Sequence, residues 1–178
     1  MALPITLSEI GPRISAGAFI LNSGLGKRAA DDQTAAGLHG FATGTYPFLA
    51  DVEPRQFVRA LSTAEIAIGA ALLTPFVPTA VAGAALTGFA GGLLGLYLKT
   101  PGMRKEGSLA PTEQGLSVAK DVWLLGIGVG LLTRGTVDRG GKRVTKAAKT
   151  LAKANKRVAR AERKVERSAQ RRAARAAA

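Results

Sequence analysis

Five ionisable residues stand where a soluble domain rarely places them. Glu65 lies within "FVRALSTAEIAIGAALLT", eight residues after Phe57 and nine before Thr74. Lys120 and Asp121 open "KDVWLLGIGVGLLT". Lys27 closes the uncharged stretch from Ile14 to Gly26, and Arg59 sits near the start of the Glu65 segment. A charge inside an apolar helix is expensive, so it faces the protein interior and has a partner. Ser62 and Gly69, three back and four on from Glu65, share its helical face. Two chemistries suit such a set. One is a polar pocket for a quinone headgroup, a proton or a small solute. The other is a buried ion-pair network that holds helices in register. On cost grounds Lys120 is expected beside Glu65, with Asp121 turned toward Arg59 or Lys27.

Other chemistry has little footing. The chain has no cysteine, so thiolate metal sites and thiol redox steps are excluded. His39 is the only histidine and has no second ligand at helical spacing. It is expected in a loop, and no metal site is expected. "GLGK" (Gly24–Lys27) has the wrong spacing for a phosphate loop. No nucleophile–base set suggests acyl or phosphoryl transfer.

The elements that must position these groups are apolar helices. From Ile66 to Leu98 there are 33 residues without a charge. About 20 residues cross a bilayer core, so this run is too long for one span. "TPFVP" (Thr74–Pro78) lies inside it, and its two prolines mark a helix end and a new start. The sequence predicts a hairpin of helices, about 57–74 and 79–98. Two weaker spans flank it. Ile14–Gly26 needs the aliphatic stems of Arg13 and Lys27 to reach across. Val122–Thr133 needs extension back through Leu116, which draws Lys120 and Asp121 into the span. The alternative is a hairpin with two interfacial helices. Residues 28–56 and 100–115 read as loops. Trp123 and Tyr97 suit interfacial anchoring.

Small residues recur at intervals of four: Ala80, Ala84, Gly88 and Gly92; Gly83, Thr87, Gly91 and Gly95; Gly126 and Gly130. In lipid such rows let helix backbones approach closely. They serve either a dimer face or packing within one bundle.

The formal charge of +13 is lopsided. Residues 1–140 hold 11 Lys/Arg and 10 Asp/Glu, whereas residues 141–178 hold 14 and 2. The tail is therefore a separate unit: Lys142, Arg143, Lys146, Lys149, Lys153, Lys156, Arg157, Arg160, Arg163, Lys164, Arg167, Arg171, Arg172 and Arg175. Val144, Leu151, Val158 and Val165 recur every seven residues, with small residues three further on, which predicts a long basic helix with a weak seam. The tail suits anionic membrane lipid, nucleic acid, or a topology anchor with no specific partner. Its basic residues follow the last span and should stay in the cytoplasm. With four spans the N-terminus is then cytoplasmic too. No basic region precedes the first apolar segment, which is expected to be retained.

Four quoted segments resemble the DoxX-like family of small four-helix membrane proteins. They are "PRISAGAFILNSGLGK", "FLADVEPRQFVRALSTAEIAIGAALL", the Gly/Ala-rich third span, and "AKDVWLLGIGVGLL". Together they cover about Pro12–Leu132. The individual motifs are degenerate; their order and spacing carry the likeness. The resemblance implies a membrane subunit of a quinone-linked or oxidative-stress redox complex. Glu65, Lys27 and the Lys120–Asp121 pair match its motif positions. Redox centres would then sit on partner proteins, since this chain has no haem, iron–sulfur or flavin signature. The basic tail lies outside the family pattern.

The expected architecture is all-α. It comprises an inner-membrane four-helix bundle over residues 1–139 and a basic cytoplasmic tail over 140–178. The second functional reading is a non-enzymatic membrane scaffold, possible as an oligomer, that recruits lipid, nucleic acid or a protein through the tail.

Overall fold

The computed structural model describes residues 5–135 and, beyond them, residues 137, 141, 146, 149, 150 and 153. Two compact units divide the chain, Met1–Thr136 and Val137–Ala178. In the second unit, Lys146, Lys149 and Lys153 are helical and exposed. The other eleven basic tail residues and the heptad positions lie outside the described residues.

The first unit is helical, with no strand among the described residues and a single isolated bridge between Arg104 and Pro111. Helix α1 spans Leu7–Arg28. It starts seven residues before the uncharged stretch, because Thr6 and Glu9 form a capping box. Pro12 is tolerated inside it. Helix α2 (Asp32–Thr43) and a 3₁₀ turn (Pro47–Leu49) occupy a region the sequence presented as loop. The start signal was there: Asp31 accepts from the Thr34 amide. Gly37 and Gly40 dilute the apolar pattern that would have extended it.

The hairpin forms as expected, with α3 at Pro54–Leu73 and α4 at Thr79–Lys99. Pro54 opens α3 at a position where its missing N–H is harmless. The last apolar segment begins at α5 (Glu113–Ala119), capped by Thr112, whose hydroxyl oxygen accepts from Gly115. A turn at Lys120–Asp121 separates it from the helix at 122–135, here α6. The two charges thus sit at a break in the span, not in a continuous helix.

Three segments are long and apolar enough to cross a membrane: Pro54–Leu73, Thr79–Lys99 and Glu113–Gly135. Only 28%, 28% and 22% of these segments is buried in the protein, so most of their apolar surface faces outward. That is compatible with a membrane protein. Helix α1, the first of the four expected spans, is not among them. Its 22 residues suffice in length, but Glu9, Arg13, Lys27 and Arg28 make it too polar.

Ala16 and Ile20 of α1, Leu72 of α3, Ala82, Leu86 and Ala90 of α4, and Leu124 and Leu131 of α6 form one core. Small residues set the distances. Gly69 faces Leu21, where a Cβ would lie 2.7 Å from the Leu21 backbone nitrogen. Gly128 faces Thr87, and Gly135 faces Ala80. Part of the small-residue pattern therefore packs α4 against α6. Gly88, Gly91, Gly92, Gly126 and Gly130 have open space instead.

Arg13 was read only as the edge of a span, but it is 2% exposed. Its guanidinium donates to the carbonyls of Ala71, Leu72, Thr74 and Val77 and to the Thr79 hydroxyl, at 2.7–3.3 Å. The reason lies in "TPFVP". Pro75 and Pro78 have no N–H, so the carbonyls of Ala71 and Thr74 lose their usual helical donors. Arg13 replaces them and pins α1 to the α3–α4 turn. Tyr97 departs from expectation in the same way. Its ring is buried and its hydroxyl donates to the Leu109 carbonyl at 2.5 Å, so it ties a loop rather than anchoring at an interface.

Candidate functional site

The buried positions of α3 recur as Val58, Ser62, Glu65, Gly69 and Leu72, one helical stripe. This stripe packs on α1. Glu65 therefore points into the protein because it occupies a core position, as its spacing from Ser62 and Gly69 required. Gly24 of α1 lies opposite it; a Cβ there would come within 2.9 Å of the Glu65 Cβ. The Ser62 hydroxyl donates to the Gly24 carbonyl at 2.8 Å. So "GLGK" holds no phosphate, yet its glycine admits Glu65 and its lysine meets it.

Lys27 is one turn along from Ser23. Its Nζ donates to Ser23 Oγ at 2.7 Å and to both Glu65 oxygens, at 2.9 and 3.0 Å. Ser23 Oγ also approaches Glu65 Oε1 at 3.4 Å. The Glu65 side chain is 5% exposed and that of Lys27 23%. Glu65 therefore pairs with Lys27, not with Lys120 as its position suggested. Lys120 is exposed, and so is Arg59. The turn before α6 aims Lys120 outward and Asp121 inward. Asp121 Oδ1 is buried, and no donor among the described residues reaches it.

Ser23, Lys27, Glu65 and Asp121 form the polar end of a cavity of about 440 Å³. This falls within the roughly 300–1,000 Å³ of small-ligand sites. The rest of the wall is apolar. It includes Phe19, Phe41, Tyr46, Phe57 and Phe89, with Ile20, Leu38, Leu49, Leu61, Leu93, Leu96, Val118 and Leu124. Helix α2 and the 3₁₀ turn contribute Leu38, Phe41, Ala42 and Leu49, so the unexpected helix supplies a side of the site. Tyr46 donates to the Gly92 carbonyl at 2.9 Å. Thr45 and Thr100 hydroxyls meet at 2.6 Å. Both bonds tie the end of this segment to α4. His39 lies on α2 rather than in a loop; its Nε2–H donates to the Leu49 carbonyl at 2.9 Å, and its ring meets Phe57 edge-on. Both contacts tie α2 to the 3₁₀ turn and to α3.

Trp123 packs edge-on against Phe19, with ring centroids 5.4 Å apart, just behind the cavity wall. A second depression, of about 540 Å³, lies along the 98–109 loop. Lys99, Arg104 and Lys105 border it, but all three are exposed and it has no buried polar group. No group of three or more metal-ligating side chains occurs among the described residues.

Two of the five expected residues, Arg59 and Lys120, thus leave the site, and Lys27, Glu65 and Asp121 remain. Ser23 and the aromatic wall were not singled out from sequence. Ser23 could have been found from its i, i+4 spacing to Lys27. The aromatic residues come from four separate helices and a loop, and no local pattern joins them. Comparison with family models, with curated proteins and with solved structures finds no match for this chain.

Proposed function

We propose that this chain is a multi-pass inner-membrane protein that binds the headgroup of a lipid-soluble quinone. In this reading it is a DoxX-like, four-helix subunit of a redox membrane complex. One observation carries the reading: a charged and hydrogen-bonding cluster closes one end of an apolar, aromatic-lined cavity. A quinone combines a small polar ring with a long apolar tail, and the wall offers a surface for each. Aromatic side chains stack favourably on a flat ring. Electrons would come from and go to partner proteins. The resemblance of the four helical segments to DoxX-like subunits supports the same assignment.

The test is direct. Protein purified in mild detergent is extracted with organic solvent, and quinone of both redox states is quantified by mass spectrometry. Near-stoichiometric quinone is expected in the wild type. Gly88→Phe, placed where a glycine lines the cavity with open space before it, should lose most of it. Absence of quinone, or equal retention in the variant, refutes the proposal.

The tail motivates the second reading, a scaffold that recruits a partner through residues 141–178. Fourteen basic residues against two acidic ones favour anionic lipid at about 1 kcal/mol per charge near the surface. Nucleic acid would meet the same charge without aromatic stacking partners. The proposed topology takes α1 as a fourth membrane-crossing helix whose Arg13 is satisfied by the α3–α4 turn, and both termini are then cytoplasmic. A reporter fused after Ala178 should be active only in a form that works in the cytoplasm.

A further inference from the structure

The segment from α2 through the 3₁₀ turn is held to the bundle unevenly. Little of it is core: Ala35 and Ala42 of α2 are buried, and no residue of the 3₁₀ turn is. On the α3 side, Arg55 pairs with Asp32 and the His39 ring meets Phe57 edge-on. On the α4 side, two hydrogen bonds join it among the described residues. Tyr46 donates to the Gly92 carbonyl, and the Thr45 hydroxyl meets that of Thr100, the C-cap of α4. Tyr46 rests on a glycine seat. Gly92 offers its carbonyl, and Gly95 lies against the phenol oxygen, where a Cβ would collide with it. The Gly92 carbonyl is inside α4 and keeps the Leu96 amide as its helical donor, so the tyrosine can leave without opening the helix.

This seat lies at the edge of the cavity. Gly88 and Gly92 border the cavity and are exposed, so no side chain of α4 covers it at either position. Tyr46, itself part of the cavity wall, reaches across to Gly92 there. Gly92 stands seven residues before Lys99, about 10 Å along α4 from its charged end. In a helix apolar enough to cross a membrane, that depth belongs to the hydrocarbon. We propose that the α2–3₁₀ segment is a gate, hinged on α3 and latched to α4 by Tyr46, through which an apolar ligand enters the cavity sideways from the lipid. The proposal rests on the membrane placement above, and not on the ligand being a quinone.

The experiment uses the full chain in phospholipid vesicles. The chain has no cysteine, so a reporter thiol is unique wherever it is placed. Leu61→Cys puts it on the α3 wall of the cavity. Two reagents are compared, an apolar maleimide and a charged, water-soluble one, each rate divided by its rate on the denatured chain. The apolar reagent should react about tenfold faster or more, because a charge does not cross lipid readily. Where reclosing outpaces labelling, the rate follows the open population. Tyr46→Phe removes one hydrogen bond and Gly95→Ala lifts the ring off its seat, so either should quicken labelling about twofold to tenfold. Gly91→Ala, with open space before it, should not. A Leu131→Cys reporter, in the core and outside the cavity wall, should stay unreactive in all of them. An unchanged Leu61→Cys rate in Tyr46→Phe or in Gly95→Ala, or an equal rise at Leu131→Cys, overturns the latch. Equal rates for the two reagents overturn entry from lipid. Should Leu61→Cys not fold, Leu93→Cys places the thiol on the α4 wall instead. Absence of quinone from the purified protein would refute the quinone reading alone, since no ligand is needed for any of these rates.

Discussion

Glu65 and Lys27 should be strongly coupled, and unequally sensitive to loss of the other. Lys27→Met leaves the Glu65 carboxylate, 5% exposed, with only the 3.4 Å contact from Ser23. Breaking a buried pair in this way costs about 3–5 kcal/mol. Glu65→Leu leaves the Lys27 ammonium, whose side chain is 23% exposed and lies in the last turn of α1. It can extend toward the helix end, so the loss should be smaller, about 1–2 kcal/mol. With both residues replaced no charge is stranded, and the double variant should lie within about 1 kcal/mol of wild type. The coupling is then roughly 3–7 kcal/mol, well above the few tenths expected of independent sites. The assay is equilibrium unfolding in detergent followed by Trp123 fluorescence, the chain having one tryptophan. Lys120→Ala serves as the control, since Lys120 is exposed and should add to Glu65→Leu within about 0.5 kcal/mol. Additive losses for Lys27 and Glu65, or coupling between Lys120 and Glu65, would refute the pairing.

Gly69→Ala puts a methyl 2.7 Å from the Leu21 backbone nitrogen, which cannot retreat, and should cost about 1–3 kcal/mol in the same assay. Gly126→Ala, with nothing within 4 Å, should be neutral or slightly stabilising. Arg13→Lys removes the planar fork that serves four carbonyls and should destabilise by about 1–3 kcal/mol. A thermal midpoint equal to wild type would deny the clamp. Acid should loosen α2 selectively. The Thr34 amide holds the Asp31 carboxyl below its usual range, and the hydrogen bond from Arg55 does the same for Asp32. Lowered folded values mean that this stabilisation is whole above the unfolded value of about 3.9 and disappears as pH falls through them. Hydrogen exchange at residues 32–43 should therefore quicken, relative to α3, as pH falls below about 4.

The parts of this architecture that local rules govern were legible in the sequence. The α3–α4 hairpin follows from one long apolar run and two prolines, and both helices form within a few residues of the expected bounds. The burial of Glu65 follows from its register with Ser62 and Gly69. What escaped depends on turns and on distant partners. Lys120 and Asp121 are adjacent, so a continuous helix would place them about 100° apart in either assignment. The turn that separates α5 from α6 decides which one faces inward, and the apolar composition of the segment does not signal it. Lys27 is 38 residues from Glu65 and was in the expected set, but cost arguments alone could not rank it above Lys120. Helix α2 was hidden because its glycines and polar residues imitate a loop. Its N-cap aspartate was the available signal.

The Arg13 clamp also bears on how the protein is made. Helix α1 is made before α3 and α4, and it carries a guanidinium in its second turn that is costly to place in an apolar helix without partners. The groups that accept its hydrogen bonds lie 58–66 residues downstream. At about 5–20 residues per second they emerge roughly 3–13 s later. During that interval Glu9, one turn back on the same helix, is the only charged partner of Arg13 among the described residues of α1, and the carbonyl acceptors are still missing. In the proposed four-span topology, integration of α1 would then follow completion of the α3–α4 hairpin. Stalled chains ending near residue 30 should wash off membranes at alkaline pH, whereas those reaching past residue 99 should stay. Early retention of the shorter chains would contradict this sequence of events.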